Sequence, residues 1–309
     1  KDTSEESLIR YAQCFPDLYE VGMSHLGSHI LYDVINRDEK IFCERVYAPG
    51  VDMENMMREK NIPLFALESR EPITNFDVIA FTLQYELSYT NILNMLDLAN
   101  VPILRTERKL DDPFILVGGP CAYNVEPMAD FVDIVVLGEG EEVNLEILNA
   151  YKEWKKNKTT REDFLYQISS IEGVYIPSFY DVTYNEDNTV KEVVPNRENI
   201  PSKPHKRIIK DVENVPYPEK LIVPFIDTVH NRVVLELFRG CTRGCRFCQA
   251  GMIYRPIREK SVERLKEIVD KLVKSTGYDE ISLSSLSTSD YSKLSELTDY
   301  LVDEYASNN

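Results

Sequence analysis

Three of the six cysteines in the chain fall within eight positions, at Cys241, Cys245 and Cys248 in the stretch RGCTRGCRFCQAG (239–251). Thiolates are soft ligands suited to zinc, copper(I) and iron–sulfur clusters, and nearby guanidinium groups favour the deprotonated form. Arg243 and Arg246 lie between these cysteines. A structural zinc site closes on four tetrahedral ligands. Here three thiols are close in sequence, and the nearest histidine is His230, on the far side of a strand. A [4Fe–4S] cluster normally takes four cysteines, so three leave one iron open. An open coordination position is what a catalytic metal site needs. Other uses of the triad stay open on spacing alone: a zinc site completed from a distance, buried structural thiols, or a non-catalytic Fe–S module for electron transfer or structure. Such a module normally closes its coordination shell, which three cysteines do not do.

The elements around the cysteines place them. NRVVLELFRG (231–240) is a β-branched strand that runs straight into the triad. VERLKEIVDKLVKSTG (262–277) is a helix with Ser261 as its cap, Glu263 in its first turn and Gly277 at its end. YDEISLSSLSTSDY (278–291) is a second strand ending in Ser/Thr, and KLSELTDYLVDEY (293–305) a second helix. Strand, loop and helix in that order put the cysteines at the carboxyl-end face of a parallel sheet or barrel, where βα enzymes keep their sites. Two strands leave a parallel barrel sheet with open edges, so the pattern predicts further βα units after Asn309.

The first half alternates strands and helices. Strands are predicted at 8–15, 40–48, 76–83, 114–120 and 133–140, and helices near 24–36, 52–60, 88–100 and 141–155. That alternation predicts a doubly wound parallel sheet whose ligands bind at the carboxyl ends of the strands. Gly22, Gly118, Gly119, Gly138 and Gly140 all fall there. Composition then shifts to a charged and proline-punctuated region with a hairpin inside 173–194. The expected organisation is an α/β domain over 1–155, a β-rich linker over 156–228, and the first βα units of a barrel over 229–309.

A net charge of −17 argues against general binding to nucleic acid or to an anionic membrane. The stretch from Lys203 to Lys260 is locally basic and suits an anionic ligand. No run approaches the ~20 apolar residues of a membrane span. The polar start is not a secretory signal, and it opens on Lys1 rather than Met, so residues preceding it are expected. Six clustered cysteines do not make a secreted disulfide framework, which predicts a reducing, cytoplasmic setting.

At C-TRG-C-R-F-C, with Phe247 at the aromatic position, the chain resembles the radical S-adenosylmethionine superfamily. The resemblance implies a full or partial (βα) barrel. It implies that Cys241, Cys245 and Cys248 hold three irons of a [4Fe–4S] cluster while S-adenosylmethionine chelates the fourth. The implied chemistry is reductive cleavage to a 5′-deoxyadenosyl radical acting on an unknown substrate, with electrons from a donor such as flavodoxin or ferredoxin. Phe247 would lie against the adenine. The family often has a Gly-Gly-Glu stretch at the end of the second strand; this chain has Ser285, Ser287 and Ser289 there as the corresponding donors. Arg255 and Arg258 would reach a carboxylate or a substrate anion.

GGPCAYNVEPMADFVDIVVLGEGEE (118–142) resembles the cobalamin-binding domain that precedes the barrel in one subgroup. On that resemblance Gly118, Gly119, Gly138 and Gly140 let the backbone approach a nucleotide-like tail. The D-x-H-x-x-G motif that supplies a lower axial ligand reads here with Tyr19 in place of His, between Asp17 and Gly22, so no imidazole below cobalt is expected. His25 and His29 read as packing histidines, and Cys14, Cys43 and Cys121 as small buried hydrophobes. Cobalamin-assisted methyl transfer is one implied reaction. Methylthiotransferase-like RNA or protein modification is another, but it needs a second cluster for which those three cysteines are poorly spaced.

Overall fold

The computed structural model describes residues 1, 5 and 7–306. The chain divides into two compact units, Lys1–Ile208 and Ile209–Asn309.

The first unit is built on a six-stranded sheet in the order β2-β1-β3-β4-β5-β6. Its strands are β1 (Ile9–Phe15), β2 (Ile41–Tyr47), β3 (Val78–Thr82), β4 (Phe114–Gly118), β5 (Ile134–Val136) and β6 (Val174–Tyr175). The first five run parallel, and β6 closes the edge antiparallel to β5. Strands such as VIAFT and FILVG are nearly all apolar because a parallel sheet is covered on both faces. On one face, Ile9, Tyr11, Val78 and Phe114 pack with α2 (Leu26–Asn36), α5 (Gly140–Asn157) and α6 (Arg161–Ile168). On the other, Ala12, Cys14, Ile79 and Ile115 pack with Met57 of α3 (Val51–Lys60) and with Ile92 and Met95 of α4 (Tyr89–Leu98). A single turn, α1 (Tyr19–Gly22), follows β1. The predicted doubly wound sheet is therefore present, with its order reversing between β1 and β3.

The first unit runs past the expected limit at 155. Phe164 and Ile168 of α6 lie in the same apolar cluster as Phe114 and Trp154, and β6 extends the sheet. The segment at Arg207 is stapled on by Arg207 N–H to the Leu137 carbonyl (2.8 Å) and Glu139 N–H to the Arg207 carbonyl (3.1 Å). Short apolar pieces among prolines hide this continuity from sequence. The hairpin expected inside 173–194 is β7 (Tyr180–Tyr184) with β8 (Val190–Pro195), turning at Asn188 with φ 64°.

In the second unit, β9 (Val233–Glu236) pairs in parallel with β12 (Ile281–Ser284). Between them runs α8 (Val262–Thr276), whose buried residues include Leu265, Ile268, Val269 and Leu272. Ser261 caps it, accepting from Arg264 N–H at 3.1 Å, and Gly277 ends it at φ 71°. A two-residue antiparallel ladder joins β10 (Phe238–Arg239) to β11 (Arg258–Glu259), and α9 (Leu294–Tyr305) closes the described chain. These are the first βα units of the expected barrel. No helix among the described residues is long and apolar enough to cross a membrane.

Candidate metal centre

The cysteine loop leaves β10 and returns at β11, so the two-residue ladder ties its base. Gly240 makes that closure sterically feasible. Its φ is +99°, and a Cβ there would stand 2.3 Å from the Pro256 carbonyl oxygen. Beneath the loop, the last residue of β9 anchors a charge cluster. Glu236 accepts from Arg239 Nε at 3.0 Å and from the buried Lys260 Nζ at 2.6 Å. Burial raises the Glu236 pKa, but Arg239 and Lys260 outweigh it and hold the carboxyl below its ordinary value. Tyr217 donates its hydroxyl proton to the Val234 carbonyl at 2.9 Å and completes this floor.

The three thiols are free, with Cys245 exposed and Cys241 and Cys248 partly so. Cys248 N–H donates to the Cys245 carbonyl at 3.0 Å, a tight turn that keeps the last two cysteines together. A short helix, α7 (Ala250–Ile253), packs its Gly251 onto the loop, where a Cβ would lie 3.9 Å from Cys241 O and from Gly244 N. Among the described residues no three or more His, Cys, Asp or Glu side chains are gathered into a metal-sized group. The structure thus brings the donor set onto one accessible loop without converging the sulfurs.

The turn after β12 is fastened to this loop at three places. Arg243, between the first two cysteines, makes a bidentate pair with Asp290: Nε donates to Oδ2 at 2.6 Å and Nη2 pairs with Oδ1. Tyr291 stacks on Phe238 with ring centroids 6.4 Å apart and donates to the Lys260 carbonyl at 2.9 Å. Ser292 N–H donates to Glu259 Oε1 at 3.2 Å. The Asp290 carboxyl is held at about 2, first by the Arg243 hydrogen bond and then by Ser287. The Arg243 guanidinium is raised in turn, chiefly by Asp290 and to a lesser degree by the Cys241 and Cys245 sulfurs.

The other expected site residues divide. Phe247 projects almost wholly into solvent, 94% exposed. Arg255 brings its guanidinium within 3.9 Å of the Cβ position of Gly244, inside the cysteine loop. Arg258 instead donates to the Ile209 carbonyl at 2.6 Å and to the Pro256 carbonyl at 3.2 Å, bracing the loop base. Ser287 donates to Asp290 Oδ2 at 2.7 Å, Ser285 pairs with Thr288 at 2.9 Å, and Ser289 is exposed. Sequence reasoning missed Asp290, Glu236, Lys260 and Tyr291. The one signal was charge at strand ends, in LELFR and STSDY.

In the first unit two of the expected glycines, Gly119 and Gly138, pack closely against the chain's own backbone. A Cβ at Gly119 (φ +105°) would meet the Leu83 carbonyl oxygen at 2.8 Å, and one at Gly138 (φ +106°) the Arg207 carbonyl oxygen at 2.1 Å. The close backbone approach at these positions is made by the chain itself. Gly118 has ordinary contact with Val136 at 3.6 Å, and Gly140 crowds Asn144, whose Nδ2 donates to the Gly140 carbonyl at 2.7 Å. Asp133 is buried and accepts from Arg108 Nη1 (2.9 Å), Arg161 Nη2 (3.1 Å) and Ile115 N–H (2.8 Å). At the β1/β3 reversal, the loops after these strands expose Leu18, Val21, Tyr85 and Leu87. Tyr19 packs edge-on against Tyr47 at 5.2 Å. His25 caps α2, its Nδ1 accepting from Ser28 N–H at 3.1 Å, and burial lowers its pKa to about 4. His29 bonds the Met23 carbonyl at 2.8 Å. Cys14 and Cys43 are buried, and Cys121 is partly so.

This geometry agrees with comparison to known proteins. Residues 27–177 match the family described as radical SAM proteins, N-terminal, and residues 235–308 match the radical SAM superfamily. The chain belongs to the radical S-adenosylmethionine superfamily. It is 28% identical over 293 residues to the uncharacterized protein MJ0966 of Methanocaldococcus jannaschii, covering 94% of this chain and 52% of that protein. The chain therefore spans about half the length of the curated relative it matches. Among solved structures it is similar to the cobalamin-dependent S-adenosylmethionine radical enzyme OxsB, with TM-score 0.55 and 14% identity, covering 91% of this chain and 34% of that one. It is also similar to TsrM, a radical S-adenosylmethionine methyltransferase from Kitasatospora setae solved with cobalamin and a [4Fe–4S] cluster, with TM-score 0.54 and 11% identity. That likeness covers 97% of this chain and 52% of TsrM, and it supports the fold: a Rossmann-like unit followed by a radical SAM unit.

Proposed function

We propose that the chain is the cofactor-binding part of a radical S-adenosylmethionine enzyme, with Cys241, Cys245 and Cys248 as the ligands of one [4Fe–4S] cluster. The observation that carries this is the loop itself. Three free thiols sit on one accessible segment whose base is closed by β10–β11 and whose side is fastened to the turn after β12. The donor set fits the group, since thiolates are the usual ligands of iron–sulfur clusters. When bound, the cluster and S-adenosylmethionine supply a radical for hydrogen abstraction from a substrate.

The protein's own residues hold, orient and shield. Gly240 and the Glu236–Arg239–Lys260 cluster fix where the loop leaves the sheet. Phe247 offers an exposed aromatic face for the adenine, and Arg255 a cation beside the loop for a carboxylate. Arg258, already committed to two carbonyls, acts as a brace. A low-potential donor such as flavodoxin or ferredoxin supplies the electron, in a reducing cytoplasm.

Cobalamin is the proposed ligand of the first unit. In support, the loops after β1 and β3, where the strand order reverses, expose Leu18, Val21, Tyr85 and Leu87, an apolar surface suited to a corrin ring. No imidazole is assigned below the metal, because His25 and His29 are engaged in capping and backbone contacts. A cobalamin-assisted methyl transfer is favoured over methylthiotransfer. Cys14 and Cys43 belong to the cores on opposite faces of the sheet, so they do not form a second cluster site.

Anaerobic reconstitution followed by iron and sulfide analysis tests the cluster assignment. The wild type is expected to take up four irons and four sulfides per chain, about the content of one cluster, and each of Cys241→Ser, Cys245→Ser and Cys248→Ser to lose it. Stoichiometric zinc without sulfide in the wild type overturns the assignment. For cobalamin, EPR of the cob(II)alamin complex is expected to lack nitrogen superhyperfine splitting from a protein histidine; seeing that splitting refutes the argument from Tyr19.

A further inference from the structure

We infer that Arg243 and Asp290 form a charge clasp that positions the cysteine loop and sets the reduction potential of the cluster held there. The inference rests on the cluster assignment above. The two residues come from different elements, the loop after β10 and the turn after β12, and meet in a two-pronged ion pair. Ser287 Oγ donates to the same carboxylate oxygen at 2.7 Å, so three hydrogen bonds fix the Asp290 side chain.

Stability does not account for such a pair. The Arg243 side chain is 64% exposed, and surface ion pairs contribute about 0–1 kcal/mol. Its position is the informative property. Arg243 lies midway between Cys241 and Cys245 on the same loop, two residues from each. A planar guanidinium gripped at Nε and Nη2 is held in one orientation, so the charge carried by the cysteine loop is fixed rather than sweeping through solvent. Asp290 orients the cation and offsets part of its charge, and Asp290→Asn keeps an oxygen acceptor for Arg243 while removing the offsetting charge.

The reduced cluster carries one more negative charge than the oxidised one, and nearby charge is among the factors that set its potential. A cation beside the loop stabilises the reduced form; an anion behind that cation weakens the effect. Arg243 and Asp290 are thus positioning residues whose removal moves the potential in opposite directions.

The test is an EPR-monitored redox titration of the reconstituted protein, with iron and sulfide counted first in every sample. Arg243→Gln is expected to shift the midpoint to more negative potential and Asp290→Asn to more positive potential. The double variant is expected to lie between them, near the wild type. Arg243→Lys, which keeps the charge but not the two-pronged grip, is expected to stay closer to the wild type than Arg243→Gln. Single variants that shift in the same direction, that leave the potential unchanged, or that load no cluster while Arg243→Lys also loads none, reduce the pair to a structural prop and overturn the inference. A wild type that loads no iron and sulfide overturns the cluster assignment, and the clasp with it.

Discussion

The glycine-rich stretch of the first unit and the cysteine loop of the second are both motif-bearing segments at the carboxyl ends of strands. The protein uses them differently. In 118–142 the distinctive residues are engaged by the fold: Gly119 admits the Leu83 backbone, Gly138 admits Arg207, and Asp133 pairs with the buried Arg108 and the part-buried Arg161. In 239–251 Arg239 and Arg243 are committed to ion pairs, but the three cysteines form no disulfide. Cys245 and Phe247 stand in solvent, while Gly240 and Glu236 beneath them carry the structural load. A motif points to a ligand where its reactive side chains are left idle by the fold. Where every member already touches its own chain, it points to packing.

The sharpest way to break that contrast is Asp133→Ala. It leaves Arg108 and Arg161 without their shared carboxylate, and losing one partner of a buried ion pair costs about 3–5 kcal/mol. Urea unfolding of the first unit reads the loss; a change within ~0.5 kcal/mol, the usual scale for an unremarkable surface site, would show that Asp133 is not structural. Gly138→Ala and Gly240→Ala form the next pair. Both positions have positive φ and a carbonyl oxygen in the way, so each variant is strained by roughly 1–3 kcal/mol. The expected readouts differ. Gly138→Ala lowers the stability of the first unit and leaves iron loading intact, whereas Gly240→Ala impairs iron loading. Iron loss in both variants, or in neither, would erase the contrast.

The pH dependence of the first unit follows from His25. Its native pKa is lowered to about 4 by burial, from 6.5 in the unfolded chain. Below 6.5 the unfolded state binds a proton that the native state does not. Stability therefore falls as pH drops from about 6.5 towards 4 and levels off below, by on the order of 3 kcal/mol. His25→Asn keeps a capping side chain and is expected to flatten that slope, measured as unfolding midpoints across the window. The smallest effect on stability belongs to Phe247→Ala, expected within ~0.5 kcal/mol because the ring is exposed. Its effect is expected instead in S-adenosylmethionine affinity, read by calorimetry on the reconstituted protein.

Much of the fold was legible because apolar runs and capping residues act locally. The parallel strands, the Ser261 cap and the Gly277 stop all stand where their residue types placed them. The limit at 155 was not legible, because β6 and the Arg207 staple join the first sheet through contacts between residues distant in sequence. The same holds at the site. Cys241, Cys245 and Cys248 announce themselves by spacing, but Asp290 is 47 residues from Arg243 and reads in sequence as one acid in a serine-rich turn. Arg258 looked like a ligand-seeking cation and is bound to backbone carbonyls. Charge gives a residue's capacity, while its target is set by the tertiary structure.

The central claim is that three thiols hold a cluster whose remaining iron is free to take S-adenosylmethionine. The most direct measurement is the EPR spectrum of the anaerobically reconstituted, reduced protein, recorded with and without S-adenosylmethionine. The account predicts a [4Fe–4S]+ signal whose shape changes when S-adenosylmethionine is added, and no such signal in Cys245→Ser. A wild-type signal that S-adenosylmethionine leaves unaltered would contradict it.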